Sequence, residues 1–374
     1  MGSETLKTDA FIVGGGPAGL ATAIAIRQRG LRVIVADHAR PPIDKPCGEG
    51  LMPRTLSALN ELGITFGPAQ GIPFCGIRFL GEGRVTEGVF PRGYGLGVRR
   101  TTLHQALADR AAEVGVECLW GSPVRGVNGG EVWLDSGGIQ SRWIIGADGQ
   151  NSRVRKWAGL DHFRPRKTRI GFRQHFRVAP WSDFVEVHWG RRCQVAVTPV
   201  GPDELGLVLT SRFPQLRLKE ALTDFPDLAG KLEGRPAVTK DMGAISALRI
   251  VRRVSQGCFA LVGDASGSVD TLTGEGLGLA FRQASALAEA LANDDLESYE
   301  AAHRRINRPS ELMSQVLFAL EDRAWLRRRA FGALASEPHL FDRLLAAHAG
   351  TLSPRTFGFG NIFRLGWRLL ANPS

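Results

Sequence analysis

The stretch from Asp9 to Asp37, DAFIVGGGPAGLATAIAIRQRGLRVIVAD, constrains this chain more than any other. An apolar run (Phe11, Ile12, Val13) breaks into three glycines, then a small-residue segment, then a second apolar run that closes on an acid. The pattern predicts strand, tight turn, helix and strand, with Gly14, Gly16 and Gly19 in the spacing G-x-G-x-x-G. Gly14 allows the sharp turn off the strand, Gly16 lets the backbone approach a pyrophosphate, and Gly19 lets helix and strand pack closely. The helix start around Pro17 and Ala18 presents unpaired N–H groups and a partial positive charge, which suits a diphosphate. Asp37, followed by His38, ends the second strand, where a carboxylate holds a ribose hydroxyl. A glycine turn without a ligand leaves that acid unexplained. The stretch predicts a dinucleotide site.

Composition narrows the class. At 374 residues and 43% hydrophobic, the chain is long enough for two lobes or one large α/β domain. No apolar run approaches the length of a bilayer span, and the N-terminus does not read as a secretory signal. Five widely spaced cysteines without C-x-x-C point to reduced thiols in a cytoplasmic protein. Eight scattered histidines, with no H-E-x-x-H and no Cys/His cluster, predict no metal. The net charge of +10 suits nucleic acid, an anionic membrane face, or anionic cofactors and substrates. Arginines run along the whole chain instead of gathering in one stripe with aromatics, which argues against nucleic acid.

After Asp37, HARPPIDKPCGEGLMP is a loop, and Gly48 and Gly50 bracket Glu49 so that the backbone can pass close to a ligand. Cys47 and Glu49 are candidates for a catalytic role, against the plainer reading of a buried thiol and a helix-start carboxylate. A helix follows, with Pro53 in its first turn, Leu56, Leu59 and Leu62 on one face, and Gly63 ending it. Residues 71–98 read as strands of a smaller sheet. RRTTLHQALADRAAEVGV is a helix with Leu103, Leu107, Ala111 and Val114 at helical spacing, and Arg100 at its start stands where a guanidinium meets a phosphate or ring edge. VECLWGSPVRGV and EVWLDSGG read as a meander, and WIIGADGQNSRVR as a buried strand, Asp148-Gly149 and a helix start. Thr168 to Ser211 alternates as an antiparallel sheet, whose His175, His188, Trp189 and Thr198 are candidates to line a substrate pocket. CFALVGDASGSVDTLTGEGLGLAFRQASALAEALA then returns as strand, loop and long helix. From Tyr299 onward the chain reads as helical and arginine-rich, punctuated by Trp325, Phe331, Phe341, Phe359, Phe363 and Trp367. That region is either a cap over the second lobe or a surface for a greasy substrate or a membrane.

Three separated pieces, GGGPAGL (Gly14–Leu20), GADG (Gly146–Gly149) and LVGDASG (Leu261–Gly267) with TGEG (Thr273–Gly276), together resemble the flavoprotein monooxygenase superfamily of the p-hydroxybenzoate hydroxylase type. Its geranylgeranyl reductase-like branch is the nearer likeness, through KPCGEGLMP and TGEG. The resemblance implies non-covalent FAD, with Asp264 on the ribityl chain, Gly263 beside it, Asp148 and Gly149 by the pyrophosphate, Arg100 on the cofactor, and the Val124 backbone at the adenine. A helix beginning at Gly274–Leu277 aims its N-terminus at the flavin pyrimidine, Gly274 and Gly276 permit the close approach, and Glu275 turns away toward arginine. Thr271 replaces the proline that aromatic hydroxylases carry, and the segment typical of prenyl-chain reductases is reduced to a partial echo in FPRGYG. The W-x-W-x-I-P segment of flavin halogenases is absent. GDASG does not have the G-x-S-x-G spacing of a nucleophile elbow, which sets a hydrolase aside.

The expected fold is α/β: a Rossmann-type FAD lobe (1–70, 99–165, 250–295), an inserted antiparallel sheet lobe (71–98, 166–249) and a helical C-terminal region (296–374). The expected function is FAD-dependent oxidoreduction of a hydrophobic small molecule, with hydroxylation of an aromatic or polyketide-like compound favoured. Saturation of carbon–carbon double bonds in a prenyl or lipid-like chain is the alternative, and a non-catalytic FAD-binding protein the reading of another class. With no second G-x-G-x-x-G after a strand, NAD(P)H would visit transiently as reductant. The C-terminal region is the place for peripheral membrane contact.

Overall fold

The glycine-rich stretch folds as strand Leu6–Val13, helix Pro17–Gln28 and strand Val33–Asp37 in the computed structural model, which describes residues 6–348. The helix is buried on nearly every side, from Leu20 through Ala21, Ala23 and Ile24 to Ile26, which its small residues permit. It ends at Gly30, whose φ of 83° an L side chain rarely adopts. Around it lies the largest core, in which Phe11, Ile12, Leu20, Ile24, Leu59, Leu107, Ile145 and Phe281 are fully enclosed. Each such side chain contributes about 1.5–3 kcal/mol through removal from water.

The first sheet runs in the order Ser255–Gln256, Phe259–Leu261, Gly137–Gly146, Leu6–Val13, Val33–Asp37, Glu117–Trp120. Four of these strand pairings are parallel, so their carboxyl ends lie along one edge. Register makes the alignment specific: Val13 lies opposite both Gly146 and Ala36, and Gly146 lies opposite Leu261. The three motifs therefore leave the sheet side by side. Glu117–Trp120 does not belong to a meander as the sequence suggested; it pairs parallel with Val33–Asp37. It follows the helix Arg100–Glu113, and a strand reached through a helical crossover lands parallel. The antiparallel meander is confined to Gly126–Asn128, Glu131–Leu134 and Gly137–Gly146.

The second sheet has the order Gly267–Ser268, Met242–Val251, Phe163–Arg177, Glu204–Ser211, Cys193–Gly201, Phe184–Trp189, Gly76–Gly81, Arg84–Val89. It is antiparallel except where Phe184–Trp189 pairs parallel with Gly76–Gly81. Residues 71–98 thus do not make one small sheet. Ile72–Phe74 and Gly95–Gly97 join Gly50–Leu51 in a three-stranded sheet, while the hairpin from Gly76 to Val89 extends the large one. One face of the second sheet buries Val195, Val197, Leu207 and Leu209 against Leu218, Phe225 and Leu228. The other turns toward the cofactor strands and the C-terminal helices.

Those helices are Leu296–Asp322, Ala324–Ser336 and Pro338–His348. Phe331 and Phe341 are buried and stack around Phe79, with Trp189 beside them, as the reading of this region as a cap over the second lobe expects. Trp325 is half exposed, and Phe359, Phe363 and Trp367 lie outside the described residues. No helix among the described residues is long and apolar enough to cross a membrane.

The first C-terminal helix also grips the first sheet. Tyr299 donates its hydroxyl to Leu261 O at 2.6 Å, and the Glu300 carboxylate accepts the Val254 and Ser255 amides. His303 Nε2 lies 2.9 Å from Ser266 Oγ, and Gln283 links the Gly263 amide to Asn307. Burial lowers the His303 pKa from 6.5 to about 4. The unfolded chain then takes up a proton near pH 6.5 that the folded one refuses until about pH 4. Stability is fully present above pH 6.5 and falls as pH drops through that window, by roughly 3 kcal/mol at 1.36 kcal/mol per pKa unit. In His303→Gln the drop in denaturation midpoint between neutral and mildly acid pH should be smaller than in the parent chain. Equal drops would show that this histidine does not set the acid limit.

Candidate cofactor and active site

A continuous cleft of about 840 Å³ opens where the three motifs leave the first sheet. Its wall includes Gly14, Gly16, Pro17, Ala18, Asp37, His38, Gly48, Arg100, Val124, Asp148, Gly149, Gly263, Asp264, Gly274, Gly276 and Leu277, which is every predicted cofactor residue except Gly19. Gly19 serves from behind the wall. A Cβ there would stand 1.9 Å from the Gly14 carbonyl oxygen, so only glycine lets the helix sit against the turn. Gly14 has φ 110° and its virtual Cβ meets Ala147 O at 2.5 Å, which presses the first motif onto the second. Gly263 presses the third onto the first in the same way, with a virtual Cβ 2.6 Å from Ala18 Cβ.

The polar groups at the wall are arranged for an anionic dinucleotide. Asp37 Oδ2 accepts the Gly15 amide at 2.7 Å and Oδ1 the Ala39 amide at 2.8 Å, and a carboxylate with four lone-pair sites keeps room for a ribose hydroxyl. No side chain caps the helix starting at Pro17 or the one starting at Gly276 (Gly276–Ala292), so both present N–H groups to the cleft. Arg100 is 5% exposed, and its Nη1 has no hydrogen-bond partner among the described residues. Burial lowers its pKa, opposed by the charges of Asp44 and Glu49. An orphaned buried guanidinium nitrogen beside uncapped helix starts is what a diphosphate cofactor would satisfy. Asp264 opens to the cleft although protein encloses it on the other sides; that enclosure raises its pKa, while Lys45 and Arg249 pull it down. Glu275 is buried against Arg282 at 3.1 Å, turned to an arginine as expected.

Residues that sequence reasoning missed tie these pieces together. Arg155, 1% exposed, donates to Ala265 O, Gln150 O and Asp161 Oδ1, clamping the second motif to the third. The SRVR that follows GADG carried the signal, because an arginine one turn into a short helix points back over the loop before it. Asp148 Oδ2 accepts the Arg153 and Val154 amides and so holds that helix start.

The loop Asp44–Gly50 forms the wall between the first sheet and the second. Glu49 has φ 60°, unusual without glycine, and is held on every side. Its Oε1 accepts the Arg100 amide at 2.8 Å and Arg173 Nη1 at 3.3 Å; its Oε2 lies 2.6 Å from His175 Nε2. Arg173 makes a bidentate pair with Asp44 at 2.8 and 2.7 Å, which lowers the Asp44 pKa. Thr198 Oγ1 donates to Gly48 O at 2.8 Å. Cys47 lines the cleft with its thiol pKa raised, mainly by burial, so it stays protonated.

Two of the predicted pocket residues are elsewhere. His188 and Trp189 do not line the cleft. His188 lies on the far face of the second sheet, beside Glu186 Oε2 at 3.2 Å and the Phe225 ring. Trp189, one residue on, takes the near face but is covered by Phe331 of the C-terminal helices. Strand parity fixes the first and the cap the second. His175 and Thr198 face the Asp44–Gly50 loop and reach the cleft only through it.

The profile of the family described as FAD binding domain matches residues 7–306, most of the chain. The chain belongs to this FAD-binding family. It is 29% identical to menaquinone reductase of Mycobacterium tuberculosis over 323 residues, 78% of each chain. To a probable 2-heptyl-3-hydroxy-4(1H)-quinolone synthase of Rhodococcus erythropolis it is 30% identical over 341 residues, 81% of this chain and 85% of that one. Geranylgeranyl reductases are also among its relatives. Among solved structures a flavin-dependent brominase superposes with a TM-score of 0.79 at 18% identity, over 96% of this chain and 98% of the other, a likeness of fold. The chain is an FAD-dependent oxidoreductase, and the cleft residues fit that cofactor.

Proposed function

We propose that this flavoprotein reduces a carbon–carbon double bond in a hydrophobic prenyl-type compound. The observation that carries the reading is the half-buried thiol of Cys47 in the cleft wall, whose pKa its surroundings raise. Saturation of a double bond consumes a proton as well as a hydride, and a protonated thiol stands in the wall of the cleft where the reaction would occur. Reduced FAD supplies the hydride when bound. The residues supply the rest: Arg100 and the two helix starts hold negative charge, Asp264 and Asp37 fix the sugar chain and ribose, and the Asp44–Gly50 loop brings Cys47 to the cleft wall. The menaquinone and geranylgeranyl reductases among the relatives support the reading, since menaquinone and geranylgeranyl compounds carry isoprenoid chains. Reduced nicotinamide is the proposed donor, visiting the cleft transiently. Exposed Leu312, Val316 and Trp325 on the C-terminal helices offer an apolar face for peripheral contact with lipid.

Hydroxylation of an aromatic ring, favoured by the sequence alone, is the second reading, supported by the 30% identical quinolone synthase. Anaerobic incubation of the dithionite-reduced holoprotein with menaquinone and with geranylgeranyl diphosphate separates the two. The expected result is a hydrogenated product formed without air. Turnover that requires oxygen, with label from oxygen-18 gas in the product, would replace reduction by hydroxylation.

A further inference from the structure

His175 is fully buried, 126 residues from Glu49 in sequence and 64 from Thr239, yet it touches both. Its Nε2 is 2.6 Å from Glu49 Oε2, and its Nδ1 is 3.0 Å from Thr239 Oγ1. Thr239 is half-buried, on the segment between helix Pro226–Leu232 and strand Met242–Val251. The direction of the bonds follows from one further contact. Thr239 Oγ1 accepts the backbone N–H of His175 at 3.1 Å, so its own proton is free to point at Nδ1. Nδ1 is then the acceptor, the ring proton sits on Nε2, and Nε2–H donates to Glu49. Three groups form one directed line from a half-exposed edge to the cleft wall.

Resting on the reductive reading above, we propose that Thr239, His175 and Glu49 are a proton relay from solvent to the cleft. Holding the loop does not require Thr239 or His175. Arg173 already pairs with Asp44 and donates to Lys45 O, Thr198 holds Gly48 O, and the Arg100 amide holds Glu49 Oε1. The other charges around the line are Arg173 at 3.3 Å and Arg99 at 3.8 Å from Glu49 Oε1, balanced by Asp44 and by Glu204, which pairs with Arg99. Cys47 Sγ accepts the Glu49 amide at 3.3 Å.

In the balanced step both electrons come from the reduced flavin, which is oxidised, and the double bond is reduced. One new C–H bond forms with the hydride and the other with a proton. That proton reaches carbon through Glu49 from His175 Nε2; Nδ1 takes the Thr239 hydroxyl proton, water replaces it, and a turn of the imidazole ring that brings its proton back to the Glu49 side readies the line for the next turnover. An external reduced nicotinamide restores the flavin.

The test uses dithionite-reduced holoprotein mixed without air with menadione, which takes two electrons and two protons, or ferricyanide, which takes electrons alone. In Thr239→Val, reoxidation by menadione is expected to slow about tenfold above neutral pH, less than the roughly 10²–10⁴ of a general acid because water in an open cleft substitutes in part. Its pH profile should shift and its solvent isotope effect grow, while ferricyanide reoxidation and FAD affinity stay unchanged, and Thr239→Ser should restore the parent behaviour. In flavin-free protein, nitrogen-15 spectra should place the His175 proton on Nε2, with the Nδ1 signal moving in Thr239→Val. Equal slowing with both acceptors, or a Thr239→Val profile identical to the parent, would reduce these residues to a structural clamp. Glu49→Gln provides a second break at the cleft end if the threonine variant does not fold. Menadione has no prenyl chain, so a failed relay and a failed substrate reading give different results.

Discussion

Gly16→Ala is expected to give a protein that folds normally and does not hold its flavin. Gly16 has an extended backbone, with φ −71° and ψ −179°, and its virtual Cβ meets nothing within 4 Å. The added methyl points into the cleft at the uncapped helix start, where the diphosphate must approach the backbone. FAD affinity should fall about a hundredfold, about 2.7 kcal/mol, with an unchanged denaturation midpoint of the flavin-free chain. Gly19→Ala should do the reverse. Its Cβ would lie 1.9 Å from the Gly14 carbonyl oxygen, which is backbone and cannot swing aside, so the turn must move. A loss of about 3 kcal/mol or more, seen as insoluble or partly unfolded protein, is expected. Flavin titration and thermal melting of the two variants measure the pair. If Gly16→Ala binds FAD like the parent, the diphosphate does not lie at this turn.

The second large effect concerns Arg169, which crosses beneath the Asp270–Gly274 segment of the cleft wall. It is 1% exposed, with Nε 2.9 Å from Asp270 Oδ2, Nη1 2.7 Å from Gln194 Oε1, and its guanidinium over the Phe318 ring. Nη2 stands 3.0 Å from Glu321 Oε2, an ion pair without an aligned N–H bond. Arg169→Met leaves the Asp270 carboxylate buried without its counter-charge, at a cost of about 3–5 kcal/mol. Burial already raises the Asp270 pKa, and Arg169 is the foremost influence holding it down. Without the arginine that pKa climbs further. The folded variant then keeps its proton to higher pH than the unfolded chain does, so the deficit is full above the raised pKa and shrinks as pH falls. Adding Asp270→Leu should recover most of the loss, because removing both partners leaves no bare charge. Denaturation midpoints of the parent, single and double variants at two pH values check this. A single variant as stable as the parent, or a double variant no better than the single, would deny the pair its part in the fold.

What the sequence made legible was local. Gly14, Gly16 and Asp37 fall within one strand–helix–strand unit, so spacing alone places them, and GADG and GDASG each announce a turn after an apolar strand. Pairings across distance were not legible. Nothing near Glu49 in sequence points to His175, 126 residues away, and nothing near Asp270 points to Arg169, 101 residues away. His188 and Trp189 were candidates because they are chemically capable, but which face a strand residue takes depends on parity, and which face stays open depends on a helix over a hundred residues later. Glu117–Trp120 read as a meander strand because apolar spacing carries no direction; the preceding helix supplied it.

The register of Val13 beside Gly146 beside Leu261 has a consequence for how the protein is made. The pocket floor lacks one of its three strand ends until residue 261 has left the ribosome, and the Asp44–Gly50 wall lacks Arg173 and Thr198 until the second sheet is made. A nascent chain of the first 160 residues has the glycine turn but neither the strand that completes the floor nor the sheet that props the wall. Flavin capture is therefore a late event in synthesis, and the cofactor closes a structure whose most distant segments have already met.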